Sequence, residues 1–167
     1  ERWLGKPVVE ASSGFMDRGS AMELEAAARY AWDYAGELDV TECGLCLTDD
    51  GKAGASPDRL VGADGMLEIK CLSAVKHMAA LLYGSEDHRL QCQGELWVTR
   101  RAWVDRYYYS PCFPPVLVRI EREPEVFAAF DLHIPAFLAK LEAAWMKVGK
   151  MRDAMDAALV AADDTDF

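Results

Sequence analysis

The stretch Ala55-Ser56-Pro57-Asp58-Arg59-Leu60-Val61-Gly62-Ala63-Asp64-Gly65-Met66-Leu67-Glu68-Ile69-Lys70-Cys71 carries the strongest structural signal in the chain. Two short apolar-rich runs flank Ala63-Asp64-Gly65, and a three-residue loop with glycine in the left-handed position is a favoured hairpin connection. Such a loop pairs Gly62 with Met66, Leu60 with Glu68 and Asp58 with Lys70. Side chains alternate across a strand, so Asp58, Glu68 and Lys70 then share one face, while Leu67, Ile69 and Cys71 point to the other, toward a core.

Two carboxylates and an amine gathered in this way have a chemical meaning. Hard divalent cations such as Mg2+ choose oxygen ligands and keep several waters, so carboxylates on adjacent strands form a partial cage. A neighbouring lysine holds or helps to deprotonate a metal-bound water and offsets the charge of an approaching phosphate. Phosphodiester hydrolysis is the chemistry this suits. Spacing alone leaves a plainer alternative open, a surface hairpin whose Asp, Glu and Lys form ordinary solvated pairs.

Wider motifs bear on that choice. Ser56-Pro57-Asp58 followed by Glu68-Ile69-Lys70 resembles the PD-(D/E)xK nuclease signature. The surrounding sequence is similar to the lambda exonuclease branch, also called the YqaJ-like viral recombinase family. Arg18-Gly19 with Glu23 and Ala26 resembles that family's upstream Arg-Gly-x-x-x-Glu-x-x-Ala helix motif. Gln91-x-Gln93 running into Leu96-Trp97-Val98-Thr99 resembles its downstream Gln-x-Gln helix, and Trp103 to Pro111 its aromatic strand ending in proline. The pieces lie in the family's order and span the chain from about Asp17 to the final helix.

The chain's 167 residues suffice for one domain with a real core, and 51% hydrophobic with 28% charged residues is ordinary for a soluble globular protein. No apolar run approaches a membrane span, and no signal peptide is visible at the start. Five cysteines, an odd number without a secretory signal, read as reduced thiols. A bacterial or phage-infected cytoplasm fits, with no membrane partner. Cys43-Gly44-Leu45-Cys46 has metal-ligand spacing, but Cys71, Cys92 and Cys112 stand singly, so buried thiols are the default reading for the pair.

The net charge of −10 is unusual for a protein that handles DNA. Its distribution is uneven: Lys plus Arg against Asp plus Glu number 4 against 11 over 1–50, 9 against 7 over 51–120, and 5 against 10 over 121–167. Only the middle stretch, with the candidate site, is net positive. Non-specific DNA affinity should be weak and salt-dependent.

Residues 1–16 read as irregular, broken by Gly5, Pro7, Ser12, Ser13 and Gly14. A helix from about Asp17, its N-cap, to Ala35 stops at Gly36. On it Glu25, Arg29 and Asp33 form a solvated stripe, whereas Glu23 lines up with Ala27, Tyr30 and Tyr34, an apolar face on which a carboxylate needs a partner. Leu38 to Leu47 reads as one strand. Helices follow from about Ser73 to Tyr83 and Glu86 to Arg100. In the second, Gln91 and Glu95 are one turn apart and Leu90, Gly94 and Trp97 form another line, so a polar stripe faces the site while the apolar one packs. Arg100 and Arg101 complement the helix dipole and could equally touch phosphate. Trp103 to Ser110 and Val116 to Glu121 read as strands, with Tyr107 to Tyr109 as core. Glu125 to about Ala161 is helical with an interruption near Pro135, and 162–167 form a frayed tail. His77, His88 and His133 show no ligand spacing.

The expected architecture is α/β: one nuclease domain over 1–167, a restriction-endonuclease-like central mixed β-sheet flanked by helices. The resemblance implies that Asp58 and Glu68 bind the metal with the Ile69 carbonyl as a further oxygen ligand. It also implies that Glu23 supports metal or water, that Lys70 orients and activates the attacking water, and that Gln91 assists Lys70. The implied cofactor is Mg2+, for which Mn2+ can substitute. The implied activity is 5'-to-3' digestion of linear double-stranded DNA from its ends, leaving 3' overhangs for a single-strand annealing protein in recombination. A ring-shaped homotrimer around the DNA is implied as well. Ser56 matches a residue that contacts the 5'-phosphate in the family, and Arg18 and Arg59 are further candidates by residue type. The chain departs from the family at Arg59, where glycine is usual, at Leu72, where proline is common, and ahead of Trp3, where no match to the family's arginine-bearing N-terminal helix is seen. An endonuclease with the same catalytic set, or a non-enzymatic DNA-binding module, are the alternatives.

Overall fold

The computed structural model describes the main chain of residues 14–163 and the side chains of 22–155. The chain divides into two compact units, Glu1–Arg122 and Glu123–Phe167. In the first, helix α1 (Gly14–Tyr30) continues into a wider π-helical turn, Ala31–Ala35, and stops at Gly36, where φ is +61°. The expected start at Asp17 is overturned, because no breaker stands between Gly14 and Asp17 and the helix runs through both. Of the segment expected to be irregular, 14–16 are therefore helical and 1–13 lie outside the described residues.

Strand β1 (Val40–Glu42) is followed by β2 (Cys46–Leu47), β3 (Gly54–Ala55), β4 (Arg59–Val61) and β5 (Gly65–Lys70). Helices α2 (Ala74–Tyr83) and α3 (Arg89–Thr99) cross over to β6 (Trp103–Tyr108), and β7 (Val116–Glu121) closes the unit. The main sheet has the order β1-β4-β5-β6-β7. β5 and β6 are parallel, as an intervening helical crossover requires, and the other neighbours are antiparallel. The sheet is therefore mixed, with helices over both faces, as expected. The run from Leu38 to Leu47 is not one strand: Cys43-Gly44-Leu45 interrupts it, and β2 leaves the main sheet to pair with β3 alone.

The central hairpin differs from expectation in register. Leu60 pairs with Met66 and Val61 with Gly65, so the loop is Gly62-Ala63-Asp64 and the left-handed residue is Gly62 (φ +54°) rather than Gly65. Tertiary contacts fix this. Arg101 Nη1 donates to the carbonyls of Gly62 (3.0 Å) and Gly65 (2.8 Å), while Ala102 N donates to Asp64 O (2.8 Å). A Cβ on Gly65 would lie 2.1 Å from the Trp103 ring, so this glycine makes room for an aromatic side chain rather than for a turn. The pairing has slipped by two residues, and because strand periodicity is also two, every side chain keeps its expected face.

One face of the sheet packs beneath α1. Val61, Leu67, Ile69, Tyr107 and Tyr109 meet Ala26, Ala27, Tyr30 and Ala35, with Cys71 partly buried at the margin. A polar tie fastens the layers: Tyr30 Oη donates to Asp105 Oδ2 (2.6 Å), and Arg119 forks onto both Asp105 oxygens (2.8 Å each). On the other face, α3 buries Cys92, Gln93, Glu95, Leu96, Trp97 and Val98. Leu90 is exposed, so the expected apolar line of Leu90, Gly94 and Trp97 is not the packed one. His77 is a packing residue, fully buried, bonded to Pro114 O (2.8 Å) and stacked on Phe113.

The second unit contains α4 (Pro124–Asp163), which continues through Pro135. The proline forfeits one main-chain bond in a helix of 40 residues without ending it, contrary to the expected interruption. The helix reaches Asp163, and 164–167 lie outside the described residues. Among the described residues no helix is long and apolar enough to cross a membrane.

Candidate active site

The site is built on the centre of the sheet. β5 lies between β4 and β6, so Glu68 in its interior is 3% exposed, whereas Lys70 at its end emerges toward the surface. Lys70 Nζ donates to Glu68 Oε1 at 2.5 Å. Gln91, in the first turn of α3, stands at the exposed mouth and its Nε2 donates to the same oxygen at 2.7 Å. Asp58 precedes β4, and its Oδ2 accepts the Ile69 main-chain N–H at 2.6 Å. A side-chain carboxylate thus takes a donor that a neighbouring strand would otherwise satisfy, which fixes Asp58 against β5. Asp58, Glu68, Lys70, Ile69 and Gln91 are brought together as the sequence predicts.

Glu23 is placed differently from a free metal-facing carboxylate. Its Oε1 accepts a hydrogen bond from Arg59 Nη1 at 2.9 Å, and Arg59, buried beneath α1, also donates to the Asp58 carbonyl. The partner of the half-buried Glu23 carboxylate is Arg59, the position at which the resemblance leads one to expect glycine. Arg59 is thereby tied inside the protein rather than offered to a phosphate. Ser56 is exposed just after β3. Arg18 lies on α1, with its side chain outside the described residues. Arg101, a phosphate candidate, is spent on the Gly62–Gly65 turn, and Arg100 lies over the Trp97 ring at 5.2 Å.

Two residues of the site had only faint sequence signals. Glu95, one turn beyond Gln91, is 4% exposed, and its Oε1 accepts a second hydrogen bond from Gln91 Nε2 at 2.9 Å. Arg106 lies beside Glu68 in the β5–β6 register, is fully buried, and donates to the carbonyls of Ser85 and Asp87. It secures the segment that delivers α3, and hence Gln91. The i, i+4 spacing of Gln91 and Glu95 was legible, but nothing in an aromatic strand marked Arg106 as a clamp.

The electrostatics follow from crowding. Burial, then the Glu68 charge, pushes the Asp58 carboxyl up to about 6 against a partial offset from the Ile69 N–H. Burial and Glu68 push Glu95 up to about 8. For Lys70, burial disfavours the charge, but its bond to Glu68 and the surrounding carboxylates outweigh this and raise its pKa, so it stays an ammonium. Its role in this arrangement is to donate a hydrogen bond and supply positive charge.

The chemistry of this donor set fits a hard divalent cation. Asp58, Glu68 and Glu95 crowd one another closely enough that the Glu68 charge raises the other two, a surplus of carboxyl oxygens that a cation would relieve. Glu68 Oε2 is buried with no hydrogen-bond partner, an acceptor that a cation would satisfy. Among the described residues no three His, Cys, Asp or Glu side chains are gathered tightly enough to hold a metal by themselves. Two carboxylates and a carbonyl suit Mg2+, which keeps several of its waters.

Cys43 and Cys46 are free thiols with sulfurs 3.3 Å apart, and burial with the neighbouring Cys46 raises Cys43 to about 11. The pair is remote in sequence from Cys71, Cys92 and Cys112, which form no disulfide either.

Comparison with known proteins agrees with this geometry. Residues 5–102 match the model of the YqaJ-like viral recombinase domain. The crystal structure of LHK-Exo in complex with dAMP superposes with a TM-score of 0.81 at 33% identity, covering 92% of this chain and 80% of that one. The crystal structure of an alkaline exonuclease (LHK-Exo) from Laribacter hongkongensis gives 0.79 at 32% identity over the same shares. No curated protein matches the sequence. With more than half its length matched by the family model, and its fold shared with an alkaline exonuclease, the chain belongs to the YqaJ-like viral recombinase family.

Proposed function

We propose that this chain digests linear double-stranded DNA from a 5' end in a Mg2+-dependent reaction, leaving 3' overhangs for a single-strand annealing partner. The enzyme is a DNA exonuclease of the YqaJ-like family; direction, metal and partner are the proposal. The observation that carries it is the convergence of Asp58, Glu68, Lys70 and Gln91, with Lys70 and Gln91 both bonded to one Glu68 oxygen.

In this reading Asp58 and Glu68, with the Ile69 carbonyl, hold Mg2+, or Mn2+ in its place. A metal at that position would supply charge stabilisation at the scissile phosphate and a more acidic water. The Lys70 ammonium orients the attacking water and balances phosphate charge, and Gln91 holds Lys70 and Glu68 in register. Glu23 acts through Arg59, which it keeps against the Asp58 carbonyl. Ser56 is the nearest candidate for an end phosphate, being exposed two residues before Asp58. A homotrimeric ring would supply the processivity that an acidic monomer lacks.

The test compares linear duplex bearing 5'-phosphate with the same duplex bearing 5'-hydroxyl, in Mg2+, for wild type and Lys70→Ala, following nucleotide release. Phosphate-dependent release that vanishes in the variant is expected. Release from neither end, with nicking of a closed circular duplex, would overturn the exonuclease direction in favour of internal cleavage.

A further inference from the structure

We infer that Glu95 is a positioning residue that holds the Gln91 amide in its working orientation, an inference that rests on the catalytic reading of Gln91. Gln91 is exposed at the mouth of the site, and a glutamine there has three rotatable bonds and an amide that reads alike from either side. One hydrogen bond to Glu68 would leave that side chain free to swing. Its NH2 group is instead shared by two carboxylate oxygens, Glu68 Oε1 at 2.7 Å and Glu95 Oε1 at 2.9 Å. Both oxygens act as acceptors, so both N–H bonds are claimed and the amide cannot flip without setting its carbonyl oxygen against two acceptors. The glutamine oxygen is therefore held as the free acceptor of the site.

Stability does not account for Glu95. It is 4% exposed, between the apolar Cys92 and Val98 three residues to either side, and its Oε2 is buried without a hydrogen-bond partner. A carboxyl there costs free energy that a leucine would not. It stands beside Glu68, so two carboxyl groups crowd a single amide. A residue unfavourable to the fold and bonded to a site glutamine points to function rather than packing. The helix supplies the geometry, since positions four apart lie one turn above another on the same face.

The experiment is a double-mutant cycle on nucleotide release from linear duplex in Mg2+, with Glu95→Leu, Glu95→Gln, Gln91→Ala and Gln91→Ala/Glu95→Leu. Glu95→Leu should lower kcat about 10-fold with KM within about twofold, and should change the Gln91→Ala enzyme by less than about twofold. Glu95→Gln, which keeps an acceptor oxygen, should restore most of the rate. Thermal unfolding in chelator should show Glu95→Leu at least as stable as wild type, so that lost folding cannot mimic lost positioning. Without any turnover, the Gln91 side-chain amide resonances, assigned by their disappearance in Gln91→Ala, should shift in Glu95→Leu. Wild-type kcat in Glu95→Leu, an equal loss in both backgrounds, or unmoved amide resonances would overturn the inference. Wild-type kcat in Gln91→Ala would remove instead the catalytic reading beneath it, and the inference with it.

Discussion

Replacing Asp105 by alanine should release α1 from the sheet, and the cost can be worked from the contacts. Asp105 is 1% exposed and takes three hydrogen bonds, from the Tyr30 hydroxyl at 2.6 Å and from two Arg119 nitrogens at 2.8 Å. The substitution strands its partners unequally. Tyr30 is fully buried and keeps a hydroxyl with no acceptor, which costs roughly 1–3 kcal/mol. The Arg119 side chain is 51% exposed and lies 3.8 Å over the Trp103 ring, so it regains water and adds about 1 kcal/mol or less. The vacated volume adds about 1 kcal/mol, bringing the loss to roughly 2–5 kcal/mol, a large share of a small domain's stability. Tyr30→Phe strands nothing equivalent, because Arg119 still pairs with Asp105, and should cost only about 1 kcal/mol. Urea unfolding followed by tryptophan fluorescence measures both, as a shift in midpoint at unchanged slope. A loss below about 1 kcal/mol for Asp105→Ala, or equal losses for the two variants, would refute the account of this network. The consequence reaches the site: Tyr30 lies two turns beyond Glu23 on the same helix face, so a loosened pin also loosens the grip of Glu23 on Arg59.

Two further outcomes are expected. In chelator, the raised carboxyls of Asp58 (from an ordinary 3.8 to about 6) and Glu95 (from 4.5 to about 8) make the folded chain retain protons that the unfolded chain has released. Their contribution to stability therefore falls as pH rises from about 4 toward 8, and Mg2+, which binds the deprotonated groups, should offset that fall increasingly with pH. Melting temperatures across this range check it, and an Asp58→Asn variant with the wild-type slope would count against it. Arg59→Gly, which restores the family's usual residue, removes the partner of Glu23; it should destabilise the chain by about 1–3 kcal/mol while strengthening Mg2+ binding by calorimetry, because one nearby cation is gone. Unchanged affinity would show that Arg59 lies outside the field of the metal site.

The sequence by itself determined the face on which Asp58, Glu68 and Lys70 stand, the order of motifs that marks the family, and the mixed sheet between helices. These depend on local rules, the two-residue period of a strand and the turn of a helix, and the first survives even a hairpin slip of two residues. Only the tertiary structure decided which glycine turns the hairpin, because Arg101 and Trp103 act from some 40 residues away in sequence. It alone set Arg59 against Glu23, split the first predicted strand between two sheets, and made Arg106 a buried clamp. It also turned the spacing of Gln91 and Glu95 into a shared amide beside Glu68. These outcomes rest on partners that lie far apart in the chain, as Arg59 does from Glu23, Arg106 from Ser85 and Gln91 from Glu68, and no local pattern encodes them.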